Sequence, residues 1–138
     1  MMSMFQIFNV SGSAVSAQSQ RLNVVASNLA NVDTVAGPDG QAYKARQVTF
    51  QTVLMNTPDG VPGAGVKVAG VSENQSPGRK VHDPANPSAD ADGYVTYSNV
   101  NAVEEMVNMI SASRSYQNNV EVMNTAKTLL MKTLQMGQ

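Results

Sequence analysis

The chain has 138 residues, nine basic against ten acidic side chains and a formal net charge of −1. It therefore lacks the basic stripe with which nucleic-acid binders meet phosphate, and the polybasic segment that an anionic membrane surface attracts. Cysteine is absent, which excludes disulfide and thiol chemistry, and a single histidine without cysteine cannot furnish a zinc site.

The length fits one domain. The apolar runs fall far short of the ~20 residues that span a bilayer, and no positive charge precedes Arg21, so MMSMFQIFNV does not read as a secretory signal peptide. Aromatic residues are few, and nine methionines, which fill irregular gaps, point to a weak core that gains order from neighbours.

Residues 1–33 read as a helix. Phe5, Phe8, Gly12, Val15, Ser19, Leu22, Ala26 and Leu29 alternate spacings of three and four, the a/d seam of a coiled coil, and the small members let another helix approach closely. At ~1.5 Å per residue this helix is roughly 40 Å long. Residues 34–100 have a different grammar. Turn signals recur in GPDG, TPDG, VPGAG, SPG and DPANP, with short β-prone runs YKARQVTF, GVKVAGV and GYVTY between them. Two or three short strands in a loop-rich insert are expected, too small for an independent core. Residues 101–138 return to helix, with Ala102, Met106, Met109, Ser113, Tyr116, Val120, Met123, Lys127, Leu130 and Leu134 as its seam and Val103, Val107 and Ile110 widening it. Asn101 with Glu104 resembles a capping box, and Glu104 and Glu105 suit the positive end of the helix dipole. The fold expected is mainly α with a small β insert. Its long N- and C-terminal helices pair as a coiled coil into one inner-core domain, and two helices alone leave stripes to be covered by copies or relatives.

Candidate chemistry is sparse. His82 beside Asp83 has no nucleophile near it and reads as a solvated loop residue. The stretch SADADGYVTYSN offers Asp90, Asp92 and Gly93 to a calcium loop but ends in Asn99 where a bidentate Glu belongs, so a tight turn explains it better. GAGVKVAG matches neither phosphate-loop spacing and reads as a glycine-flanked strand. No catalytic, cofactor or metal residues are assigned. SNLANVDT, at 27–34, remains. Its asparagines end the helix, where Asn tolerates the left-handed conformation, or Asn28 and Asn31 share a face and make polar contacts to a neighbouring chain; the two readings are compatible.

That stretch resembles the signature closing the N-terminal helix of bacterial flagellar axial proteins, the rod, hook and hook-associated subunits, of the form A-N-N-x-A-N-x-x-T. Asn28, Ala30, Asn31 and Thr34 match, and Ser27 departs from the first Asn. GPDGQAYKARQVTFQ and the run from NPSADADG to LLMKTL resemble the proximal-rod members of that family, with Glu105, Met106, Met109, Arg114, Tyr116, Asn119, Ala126 and Lys127 where the pattern puts such residues. The resemblance covers nearly the whole chain and its short length.

It implies a structural subunit that assembles through its terminal helices into the axle crossing the periplasm and carrying torque to the hook. Export would run through the flagellar type III apparatus without a cleaved signal. The partners implied are other copies and the rod proteins FlgB, FlgF, FlgG and FliE, with no nucleic acid, membrane insertion, cofactor or catalysis. The assembly residues expected are Phe5, Phe8, Val15, Leu22, Asn28, Leu29, Asn31 and Thr34 at one end, and Met106, Met109, Arg114, Tyr116, Asn119, Val120, Met123, Leu130 and Leu134 at the other. The second reading is a cytoplasmic helical export chaperone or adaptor.

Overall fold

A computed structural model describes residues 2–55 and 63–137. Helix α1 covers Met2–Ala30, strand β1 Arg46–Met55, β2 Gly63–Glu73, β3 Lys80–His82, β4 Tyr94–Thr96, and helix α2 Ala102–Met136. The chain is mainly α with a small β insert, as expected. The TPDG turn lies outside the described residues.

The helix ends follow from local chemistry. The Asn101 Oδ1 accepts from the N–H groups of Val103 and Glu104 at 3.1 and 3.2 Å, which satisfies two of the orphan donors that open α2. Leaving α1, the Asn31 N–H returns to the Ser27 carbonyl at 3.1 Å, and the Thr34 hydroxyl donates to the Asn31 carbonyl at 2.8 Å. The helix ends in the asparagine-rich stretch, but no asparagine there takes the left-handed conformation expected of it.

The strands form two two-stranded sheets, β1 with β2 and β3 with β4. The second is antiparallel, with Val81 opposite Val95, and Ala36 extends it by donating its N–H to the Thr96 carbonyl at 2.8 Å. Among the described residues four strands therefore stand where two or three were expected, and β1 and β2 run to 10 and 11 residues. The sequence pattern missed β3, in KVHDP, because all three of its residues are exposed and nothing alternates. Its place is set by backbone pairing to β4. His82 is accordingly an edge-strand residue, its ring set edge-on to Tyr94 at 5.0 Å. The DADG turn forms as read: Asp90 accepts from the Asp92 and Tyr94 N–H groups, and Gly93 takes φ +85°.

Two compact units emerge, and they cut across the three segments of the sequence reading. One comprises Asn23–Val48 and Val71–Met109. It buries Val25, Ala36, Ala45 and Val95 together with the polar Asn28, Ser98 and Glu105. The other comprises Met1–Leu22, Thr49–Gly70 and Ile110–Gln138. Its buried residues, among those described, are small: Ser11, Gly65, Ala17, Ala112 and Ala126. There the Val66 N–H of β2 donates to the Ser13 hydroxyl of α1 at 3.1 Å. A buried methyl is worth ~0.8 kcal/mol, less than the ~1–2 kcal/mol that fixing one residue's backbone costs. Alanine contacts alone do not hold long helices.

The helices also correct the expected seams. Buried Ser11, Val25 and Asn28 each precede a seam position by one, and Ala26 is exposed; Glu105, Ala112 and Ala126 do the same in α2. The seven-residue repeat is kept in α2, but small and polar side chains face inward. The Met and Val stripe is turned outward.

Gly78 sits against the Tyr97 carbonyl, so a Cβ there has no room. Gly78→Ala is expected to lose about 1–3 kcal/mol, read as a lowered denaturant midpoint with an unchanged slope.

Candidate functional site

Asn28, near the end of α1, is fully buried at 0 % exposure. A carboxamide offers two donors and two acceptor directions, and all four are used. Its Nδ2 donates to the Arg46 carbonyl at 2.9 Å and to Glu105 Oε2 at 3.1 Å. Its Oδ1 accepts from the Arg46 N–H at 3.0 Å and from the Tyr43 hydroxyl at 2.8 Å. Toward Arg46 the side chain behaves as a neighbouring strand would, engaging both backbone groups of the first residue of β1. Toward Glu105 it ties α1 to the first turn of α2. Tyr43 is also 3.1 Å from the Ser27 hydroxyl.

A second asparagine completes the arrangement. Asn99 accepts from the Ala45 N–H at 2.6 Å and donates to the carbonyls of Asn74 and Ser76 at 2.7 and 2.9 Å. The Ser98 hydroxyl donates to the Val32 carbonyl at 2.8 Å. The polar stretch SNVN before α2 was the available sequence signal for these residues, but only the partners give them roles.

The expected assembly residues separate into kinds. Asn28 is turned inward and spent within the chain, which corrects the expectation that its amide meets a neighbouring subunit. Asn31 and Asn119 donate to carbonyls of their own helices, Ser27 at 2.8 Å and Ser115 at 2.7 Å. Phe5, Thr34, Met106, Arg114 and Leu134 are exposed. Phe8, Val15, Leu22, Leu29, Met109, Tyr116, Val120, Met123 and Leu130 are half-buried. Other apolar residues join the exposed set: on α2, Val103 (70 %), Val107 and Ile110 (56 %) follow one another at helical spacing around Met106. On the other unit a groove of about 470 Å³ is lined by Ile7, Val122, Ala126 and Leu129 with Asn118, Glu121 and Thr125. Asp90, fully exposed, has its carboxyl held below the usual range chiefly by the Tyr94 N–H. This belongs to the turn.

Asn28→Asp places a second carboxylate against Glu105. The loss expected near neutral pH is about 3–5 kcal/mol, that of an uncompensated buried charge. Like charge raises the folded-state pKa of such a pair above its unfolded value, so the penalty is absent at low pH and grows as pH rises through the carboxylate range. Denaturation at pH 4 and pH 7 should show the variant nearer the parent at pH 4.

Comparison with known proteins is in keeping with this architecture. The family description "Flagella basal body rod protein" matches residues 8–38, and "Flagellar basal body rod FlgEFG protein C-terminal" matches residues 91–136. The chain is 58 % identical to the flagellar basal-body rod protein FlgC of Escherichia coli, over 99 % of its own length and all of that protein. It is 56 % identical to FlgC of Salmonella typhimurium and 39 % identical to FlgC of Bacillus subtilis, with the same coverage. Identity at that level along the full length of these relatives means that the chain belongs to the flagellar basal-body rod protein family, in its FlgC branch.

Proposed function

We propose that this structural rod subunit is built into the rod through the apolar faces that its two helices leave uncovered. The observation that carries the reading is the outward-turned stripe of α2, with Val103, Met106, Val107 and Ile110 all more than half exposed. Contiguous apolar surface of this kind marks a site covered by another chain. On α1, Phe5 and Val10 are exposed too, and Ile7 borders an apolar groove within its own unit. The occupants would be other copies of the chain and the rod proteins FlgB, FlgF, FlgG and FliE. The product would be the segment of the drive shaft that crosses the periplasm and passes torque to the hook.

Several features support a scaffold over a catalyst. Among the described residues no group of acidic and histidine side chains could hold a metal ion, and the one buried carboxylate, Glu105, is bonded to the Asn28 amide. Kinship with rod proteins over the full chain leaves the export-chaperone reading without support. Delivery through the flagellar type III apparatus without a cleaved signal belongs to the same proposal.

Ile110→Asp tests it. The residue is exposed, so the soluble chain should keep its stability within about 0.5 kcal/mol. Burying an unpaired carboxylate at a subunit contact is costly, so a strain carrying only this variant should fail to swim and should lack the protein in purified basal bodies. Normal swimming with normal incorporation would remove this face from the assembly surface.

A further inference from the structure

We infer that a polar cleft in the unit containing Asn28 binds a carboxylate-bearing, N-acetylated glycan, the chemistry of the bacterial cell-wall polymer. The cleft lies among residues 36–46, 73–80 and 87–99, all within that unit, and encloses about 1070 Å³. This reaches the upper end of ligand pockets, roughly 300–1,000 Å³, and leaves room for more than one sugar ring.

The frame of the cleft is fixed by Asn99. Its amide accepts from the Ala45 N–H at 2.6 Å and donates to the carbonyls of Asn74 and Ser76 at 2.7 and 2.9 Å, so one side chain ties the first of these stretches to the second. Gly78, pressed against the Tyr97 carbonyl, seats the second stretch beside β4. A cleft whose shape exists before the ligand arrives loses less affinity to ordering.

The charges of the lining are uneven. Lys44, Arg46 and Lys80 stand against Glu73 and Asp90, an excess of one positive charge, and the Asp90 carboxylate already accepts from the Asp92 and Tyr94 N–H groups. Among the described residues the one salt bridge, Arg79 with Asp33, lies outside the lining, and half-buried Lys44 has neither a hydrogen bond nor an ion pair. A cation held partly out of water without an anion of its own chain is matched by a carboxylate on a ligand, through charge-assisted hydrogen bonds.

The uncharged groups point to sugar. The carboxamides of Gln41 and Gln75 and the hydroxyls of Ser76 and Ser88 make no hydrogen bond among the described residues. Each offers donor and acceptor together, as the hydroxyl and acetamido groups of a glycan do. The Tyr94 ring, 42 % exposed and set edge-on to His82, presents a flat apolar face to the C–H side of a sugar ring. A peptide fits less well, because it binds through its main chain to open backbone. The turns here have bonded theirs: the Gly40 N–H to Gly37, the Gly37 N–H to Gln41 and the Ser88 N–H to the Asn86 side chain. The cell wall as the source of the glycan rests on the reading above that the rod crosses the periplasm; the fit to an anionic glycan does not.

Co-sedimentation of the soluble full chain with purified, protein-free peptidoglycan sacculi tests the inference. The parent should sediment with the sacculi. Lys44→Glu combined with Lys80→Glu should weaken binding at least about 10-fold, the equivalent of one lost hydrogen bond to a charged group. Gln75→Ala, at an exposed loop position and without a change of charge, should weaken it about 3-fold. Lys67→Glu, an exposed position on β2 outside the cleft, should bind as the parent does. A parent that stays in the supernatant would overturn the inference, and so would a loss with Lys67→Glu equal to that of the double variant. Competition by polyglutamate as effective as that by soluble muropeptides would assign the cleft to a peptide and overturn the glycan. Ile110→Asp lies outside the cleft and should bind sacculi as the parent does even where it fails to assemble, so the two proposals fail separately.

Discussion

The carboxamide of Asn28 has to find two donors' worth of acceptors and two acceptors' worth of donors in a place that water does not reach. A buried amide without those partners costs about 1–3 kcal/mol for each group left unmet. Arg46 meets two of the demands through its backbone, Tyr43 one and Glu105 one. Glutamine carries the same donor–acceptor set but places it one methylene further from the backbone. Aspartate lacks the donors, and leucine would strand the Arg46 backbone and the Glu105 carboxylate. The end of α1, the start of β1 and the start of α2 are held to one geometry by that requirement.

The rest of the helix arrangement follows from it. Asn28 must face inward, and so must Glu105, which sets the rotation of each helix about its own axis. With those positions inside, Val25, Ala112 and Ala126 are also buried, and the positions one residue later turn toward the outside. Those later positions include Met106 and Lys127, and Val103, Val107 and Ile110 lie further round the same outward side. A helix that satisfies a polar hub at the expense of its apolar stripe is poorly suited to a free monomer and well suited to a subunit whose neighbours supply the missing cover. The same choice separates a unit rich in long-range hydrogen bonds from one that encloses little beyond glycine, serine and alanine.

Several local features were legible because they need only near neighbours. The Asn101 cap, the end of α1 in the SNLANVDT stretch and the Asp90–Gly93 turn each rest on side chains or backbone a few residues apart. Strand β3 was not legible, since exposed Lys80, Val81 and His82 show no alternation and owe their conformation to β4. Asn99 could be seen as a polar residue before a helix, yet nothing local indicates that it clamps Ala45, Asn74 and Ser76.

By itself, the amino-acid sequence determined two long helices around a turn-rich β insert, a chain without cysteine, and the likeness to rod proteins. Periodicity, capping and composition are local or additive properties, and they survive without knowledge of the fold. Only the tertiary structure decided which face of each helix is inside. Spacing specifies a repeat of seven but not its phase, and a shift of one residue exchanges an apolar seam for one of alanine, asparagine and glutamate. The partners of Asn28, 18 and 77 residues away, settle that phase, because a buried amide tolerates only the rotation in which all its hydrogen bonds are made.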